Sequence, residues 1–163
     1  MKYFTRDLLN RIGSISHDEH EAASEEWDKA QEDYLAYLTR NRAELPPGVE
    51  SFLEHDFHDA SVLFFTIEGS NFCIYVRVES EKNRGMKLSY DLQDQPVISR
   101  LPVPVETTPL QWWYDELELL PSGGVHSILL SNGIECRIPF RSMQAESCEL
   151  ATNLDARNLV AAS

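Results

Sequence analysis

Basic residues are scarce in this chain: 14 Lys and Arg stand against 27 Asp and Glu, a formal net charge of −13 over 163 residues. Attraction to phosphate supplies essentially all non-specific nucleic-acid binding, and no basic cluster offsets the overall repulsion. Nucleic acid and anionic membrane surfaces are therefore excluded as expected partners. Cysteine is equally sparse. Cys73, Cys136 and Cys148 are odd in number and widely spaced, which excludes a disulfide framework and a Cys-x-x-Cys metal pattern and fits a reducing cytosol. No apolar run approaches the roughly 20 residues that span a bilayer. The opening Met1-Lys2-Tyr3-Phe4-Thr5-Arg6-Asp7 has no apolar h-region and reads as no signal peptide. Glycine never forms a phosphate-cradling loop, because Gly123-Gly124 follows a proline turn and precedes a strand. There is no Gly-x-Ser-x-Gly nucleophile motif either.

What is present is the material of one ordinary core. Hydrophobic residues make up 42% and charged residues 25%, so the chain is expected to fold as one domain rather than stay disordered. Thr5 precedes Arg6–Ile12 as an N-cap, with Gly13 as the stop. Ser14 to Ser24 reads as a polar loop. Ser24 is then expected to cap a stronger helix, with Glu25, Glu26 and Asp28 in its first turn. Trp27, Ala30, Tyr34, Tyr37 and Leu38 recur at three- and four-residue steps and form an apolar stripe. Pro46-Pro47-Gly48 ends this helix, and a third, short one runs from Val49 to Glu54.

After residue 60 the period changes to two. Ser61–Ile67 and Phe72–Val78 flank a Gly69-Ser70 loop, a type II′ hairpin signal. Pairing across it sets Ile67 opposite Phe72, Phe65 opposite Ile74 and Leu63 opposite Val76, all on one face. Lys82-Asn83-Arg84-Gly85 is the next loop, and Met86, Leu88, Tyr90 and Leu92 alternate along a half-buried strand. Val97 to Leu101 reads as a short edge strand among four prolines. In the following strand Trp113, Leu117 and Leu119 point one way and Tyr114, Glu116 and Glu118 the other. His126, Ile128 and Leu130 come into phase with Ile134, Cys136, Ile138 and Phe140 only across a three-residue loop, Ser131-Asn132-Gly133, with Gly133 left-handed in a G1 bulge. The expected fold class is α+β: two or three N-terminal helices packed on an antiparallel, meander-like sheet of about six strands. Residues 1–54 form the helical part, 60–142 the sheet and 143–163 a tail, with Ser147 to Val160 a weak helix at best. The Trp27/Tyr34 stripe is expected to cover the sheet.

His55-Asp56-Phe57-His58-Asp59 is the densest group of chemistry-bearing residues. A metal reading takes His55, His58 and Asp59, with Asp56, since imidazole and carboxylate are common ligands. His17-Asp18-Glu19-His20 repeats the spacing. The plainer reading makes His58 and Asp59 hydrogen-bonding residues at a helix-to-strand junction. His-Asp pairs also occur in all-helical phosphohydrolase domains, but here the pair runs straight into Ser61-Val62-Leu63, which excludes that family. Glu116 and Glu118 read as a strand's wet side, Cys136 as an inert core thiol and His126 as a hydrogen-bonded core histidine.

Met1-Lys2-Tyr3-Phe4-Thr5, the Trp27 helix ending in Leu45-Pro46, His58-Asp59-Ala60-Ser61-Val62, Tyr114 to Leu119 and His126 to Gly133 together resemble an uncharacterised family of small bacterial proteins. The resemblance covers about residues 1–142. The His-Asp-Ala lead into a strand also resembles small domains among bacterial toxin-immunity proteins. These resemblances imply a bacterial cytosolic protein and assign no catalytic residue. The functional expectation is a non-catalytic, acidic, immunity-like interaction protein with a basic protein partner and no cofactor. The alternative is a small metal-dependent hydrolase using His55, His58 and Asp59.

Overall fold

The structure is a computed structural model that describes residues 1–78, 84–99, 110–131 and 133–150. Leu101, Asn132 and residues 151–163 lie outside this set, and so do most of the loop before Gly85 and of the weak C-terminal helix.

Helix α1 (Arg6–Ile12) begins where expected: the Thr5 hydroxyl accepts from the Leu8 amide at 3.2 Å, and Gly13 follows the last turn. Helix α2 spans His17–Arg40, so the stretch read as a loop is its first two turns. Ser24 is no cap. It lies inside the helix and its hydroxyl donates to the His20 carbonyl at 2.8 Å. The acids that suggested a solvated loop instead favour a helix start, since Asp18 and Glu19 meet the positive end of the dipole. His20 Nδ1 also bonds the Ile12 carbonyl at 2.5 Å, tying α2 to the end of α1. A 3-10 turn at Arg42–Glu44 precedes α3 (Val49–Phe52).

The strands are β1 (Ser61–Glu68), β2 (Asn71–Arg77), β3 (Arg84–Leu92), β4 (Val97–Ile98), β5 (Leu110–Leu120), β6 (Gly123–Leu130) and β7 (Glu135–Glu149). All pairings are antiparallel, in the order β3-β2-β1-β5-β6-β7-β4, with β3 also paired to β7. That last ladder closes six strands into a ring, and β4 continues its edge along the first half of β7. The α+β class therefore holds, with seven strands among the described residues and closure added. The tail assignment fails for residues 143–149, which pair with β3 from Tyr90↔Met143 to Arg84↔Glu149. Met143 is 1% exposed, yet Gln144, Ala145, Glu146 and Ser147 around it carry too little apolar mass to announce a strand.

Two registers agree with the sequence and two shift. Ile67↔Phe72 and Phe65↔Ile74 pair as expected, but a bulge at Leu63 sets Val62 opposite Val76. Gly133 has φ +76°, its amide bonds the Leu130 carbonyl at 2.8 Å, and the Leu130 amide bonds the Ile134 carbonyl at 2.9 Å. That is the expected three-residue loop. In β5 a bulge between Trp112 and Tyr114 changes the phase, so Trp112 rather than Trp113 enters the core, at 1% exposure.

The ring buries its own inner face, around Ile74, Leu88, Tyr90, Trp112, Ile138 and Phe140. Val49, Phe52 and Phe57 join this core, Phe52 with its ring 4.8 Å from that of His126. Gly48 lets the chain come this close: at φ +86°, a side-chain carbon there would sit 1.6 Å from the Met143 carbonyl oxygen. Leu38 packs against the core cluster, but the α2 stripe as a whole does not cover the inner face, because ring closure has already done so. It packs outside, where Trp27 meets Tyr114 and Phe4 at centroid distances of 4.4 and 4.9 Å.

Candidate functional site

The site follows from how β5 is bordered. β1 pairs with β5 only at Ser61↔Gln111 and Val62↔Leu110. Beyond that, β5 still has N–H and C=O groups to satisfy on the same edge. The chain ahead of β1 takes the next ones: the Trp112 amide donates to the Ala60 carbonyl at 2.8 Å, and the Asp59 amide to the Trp112 carbonyl at 2.8 Å. His58 Nδ1 then meets the Trp113 carbonyl at 2.6 Å. Further along, α2 stands in for a strand. The Leu117 amide donates to the Tyr34 hydroxyl and the Leu119 amide to the Tyr37 hydroxyl, each at 2.8 Å. Between the His58 and Tyr34 contacts a pocket of about 380 Å³ opens, reaching Trp113, Tyr114 and Asp115 of β5.

Its walls are aromatic: Phe4, Trp27, Tyr34, Phe52, Phe57 and Trp113 line it. Leu35 and Leu53 line it and are 55% and 41% exposed, so part of its mouth is apolar. His55, Asp56 and His58 also line it, and among the described residues no Lys or Arg does. Beside it α2 is acidic: Glu25, Glu26, Asp28, Glu32 and Asp33 are all exposed.

Asp115 connects this pocket with the core. The β5 bulge turns Asp115 inward together with Trp112, whose indole Nε1–H donates to Asp115 Oδ1 at 2.9 Å. Asp115 Oδ2 is 3.1 Å from His126 Nε2, and the Tyr90 hydroxyl is 2.8 Å from His126 Nδ1. Every atom of this chain is satisfied when Tyr90 donates to Nδ1 and Nε2–H donates to the carboxylate. His126 is thus the hydrogen-bonded core histidine expected. Burial first, and then the Asp115 charge, push the Tyr90 and Tyr34 hydroxyls well above their ordinary range.

The sequence-derived candidates lie on the rim. His58 Nε2 approaches Asp59 Oδ2 at 3.7 Å. The local cap is Asp56, not Asp59: Asp56 Oδ1 accepts the His58 amide at 2.9 Å. Asp59 contributes its backbone, in a left-handed conformation at φ 61°. His55 contacts the Phe57 ring at 6.0 Å. Among the described residues, no group of three or more His, Cys, Asp or Glu side chains is placed to hold a metal ion. The other His pair is separated in use, His20 on the Ile12 carbonyl and His17 beside Glu21 at 3.3 Å on exposed helix.

Glu116 overturns the reading of β5's outer face. It is 6% exposed, and its carboxylate accepts the amides of Lys2, Tyr3 and Phe4. Only Glu118 is on the wet side, 3.6 Å from Arg137. Cys136 is buried, which pushes its thiol up to about 12. Asp115 is the residue that sequence reasoning missed. Its signal was there: it shares the parity of Leu117 and Leu119, and a carboxylate in phase with an apolar set demands a partner. Among the described residues, no helix is long and apolar enough to cross a membrane. No family model matches the chain, and neither the curated proteins nor the solved structures contain a match to it.

Proposed function

We propose that this protein is a non-catalytic, acidic interaction protein that binds a basic protein partner through the face formed by α2, α3 and β5, in the manner of a bacterial immunity protein. The observation that carries the reading is the pocket mouth. Leu35 and Leu53 are exposed beside an aromatic-lined pocket, and the acidic side of α2 flanks them. Interfaces are anchored by a few apolar or aromatic contacts in a pocket, within a polar rim. The net charge of −13 favours a basic partner and speeds its encounter. Three free thiols suit a reducing cytosol.

The groups that would do chemistry are engaged otherwise. Cys136 and Tyr90 are buried, with their protons held, and His126 is closed off between Tyr90 and Asp115. A hydrolase built on His55, His58 and Asp59 needs further ligands to converge on the rim. The test is isolation of the native complex with wild-type protein and with a Leu35→Asp/Leu53→Asp variant of unchanged melting temperature. The expected result is one stoichiometric basic partner with the wild type and its loss from the variant. A wild type that purifies alone, or a partner retained by the variant, overturns the reading.

A further inference from the structure

The pocket floor points to what the partner inserts. Asp115 is a partly buried carboxylate, its side chain 23% exposed, with Trp112 Nε1–H donating to Oδ1 at 2.9 Å and His126 Nε2 3.1 Å from Oδ2. Among the described residues no Lys or Arg lines the pocket, and Asp56 adds a second carboxylate at the rim. We propose that this pocket is a socket for a cationic side chain, arginine in preference to lysine, presented by the basic partner; this rests on the interaction reading above.

The competing occupants fail on physical grounds. An apolar side chain would strip water from Asp115 and leave its charge with no cation, a penalty of the kind that weakens binding. An anion would meet two carboxylates and, among the described residues, no Lys or Arg to offset them. A cation gains from both parts of the site. Trp27, Tyr34, Trp113 and Tyr114 offer π faces, and Asp115 offers one unused lone-pair position on each oxygen. Guanidinium suits this better than ammonium, because it is planar, stacks on rings and is less strongly hydrated. Trp112 belongs to the same arrangement. Its indole donates to the carboxylate from the core side, so it reports on Asp115 without blocking the pocket.

The experiment titrates the full chain with the capped tripeptide Gly-Arg-Gly at constant ionic strength. Matched peptides carry citrulline, lysine or leucine in place of arginine. Indole and backbone amide signals are followed by NMR. The expected result is saturable shifts of the Trp27, Trp112 and Trp113 indoles. Arginine should bind about fivefold or more tighter than citrulline, with lysine between them and leucine no better than citrulline. Asp115→Asn should shrink the arginine–citrulline difference to about twofold or less. If that variant does not fold, the wild-type comparison decides alone, and Asp56→Asn tests the rim charge. Equal affinity for arginine and citrulline overturns the socket, as do leucine binding as tightly as arginine and shifts confined to Glu25–Asp33. Loss of the native partner from the Leu35/Leu53 variant, with no discrimination among peptides, would discard the socket and leave the interaction reading standing. Peptide discrimination without any native partner would do the reverse.

Discussion

Glu116 ties the N-terminal segment to the ring, and it does so from a position where alternation alone implies water. Three consecutive backbone amides converge on one carboxylate. Removing it leaves buried donors without an acceptor, so Glu116→Ala should cost about 2–3 kcal/mol in urea unfolding. A loss below about 1 kcal/mol would mean that the segment finds other acceptors. Asp115 and His126 illustrate the other side of legibility. His126 was readable as a core histidine because it alternates with Ile128 and Leu130. Its partner was readable too, as an acid in phase with Leu117 and Leu119, but only once the two strands are known to be neighbours. The rim residues were legible as a junction. Their individual roles were not, because a local cap can fall on Asp56 or Asp59 with nearly the same sequence cost.

At the scale of elements, α2 acts partly as a strand. Its Tyr34 and Tyr37 hydroxyls occupy the places where a neighbouring strand's carbonyls would accept from Leu117 and Leu119. Tyr34→Phe should therefore speed hydrogen exchange at the Leu117 amide while sparing Leu119, and cost about 1–2 kcal/mol. Unchanged exchange at Leu117 would contradict this role. Trp27 contacts Phe4 and Tyr114 but is only half-buried. A fully buried tryptophan costs about 3–5 kcal/mol on truncation to alanine. Here Trp27→Ala should cost about 1–2 kcal/mol, measured by reversible urea melts. Helix α1 was legible in cap and length, and α3 in its start at Val49, though it ends at Phe52 rather than Glu54. The start of α2 was not, because the same acidic residues suit a solvated loop and the positive end of a helix dipole. The bulges at Leu63 and Trp113 escape any period-two reading, since each adds one residue and reverses the phase beyond it.

For the whole molecule, closure is the feature that decides the rest. A ring needs no helix to cover its inner face, which frees α2 to border β5 and to frame the pocket. Closure was illegible because it depends on residues 143–149, where small and polar side chains alternate too weakly to mark a strand. It has a chemical signature. The Cys136 thiol, 1% exposed and pushed up to about 12, should be alkylated in native buffer only at the rate of global unfolding. Faster labelling would show that the β6–β7 wall opens locally.

The proposed binding surface is one face of the molecule, formed by α2, α3 and β5. Hydrogen exchange of the chain, alone and in its native complex, locates that surface directly. The expected footprint is slowed exchange over residues 27–38, 53–58 and 113–116, around Leu35, Leu53 and Asp115, with the Tyr75–Lys87 side of β2 and β3 unchanged. Protection on the β2–β3 side, with the pocket region exchanging as in the free protein, would contradict it.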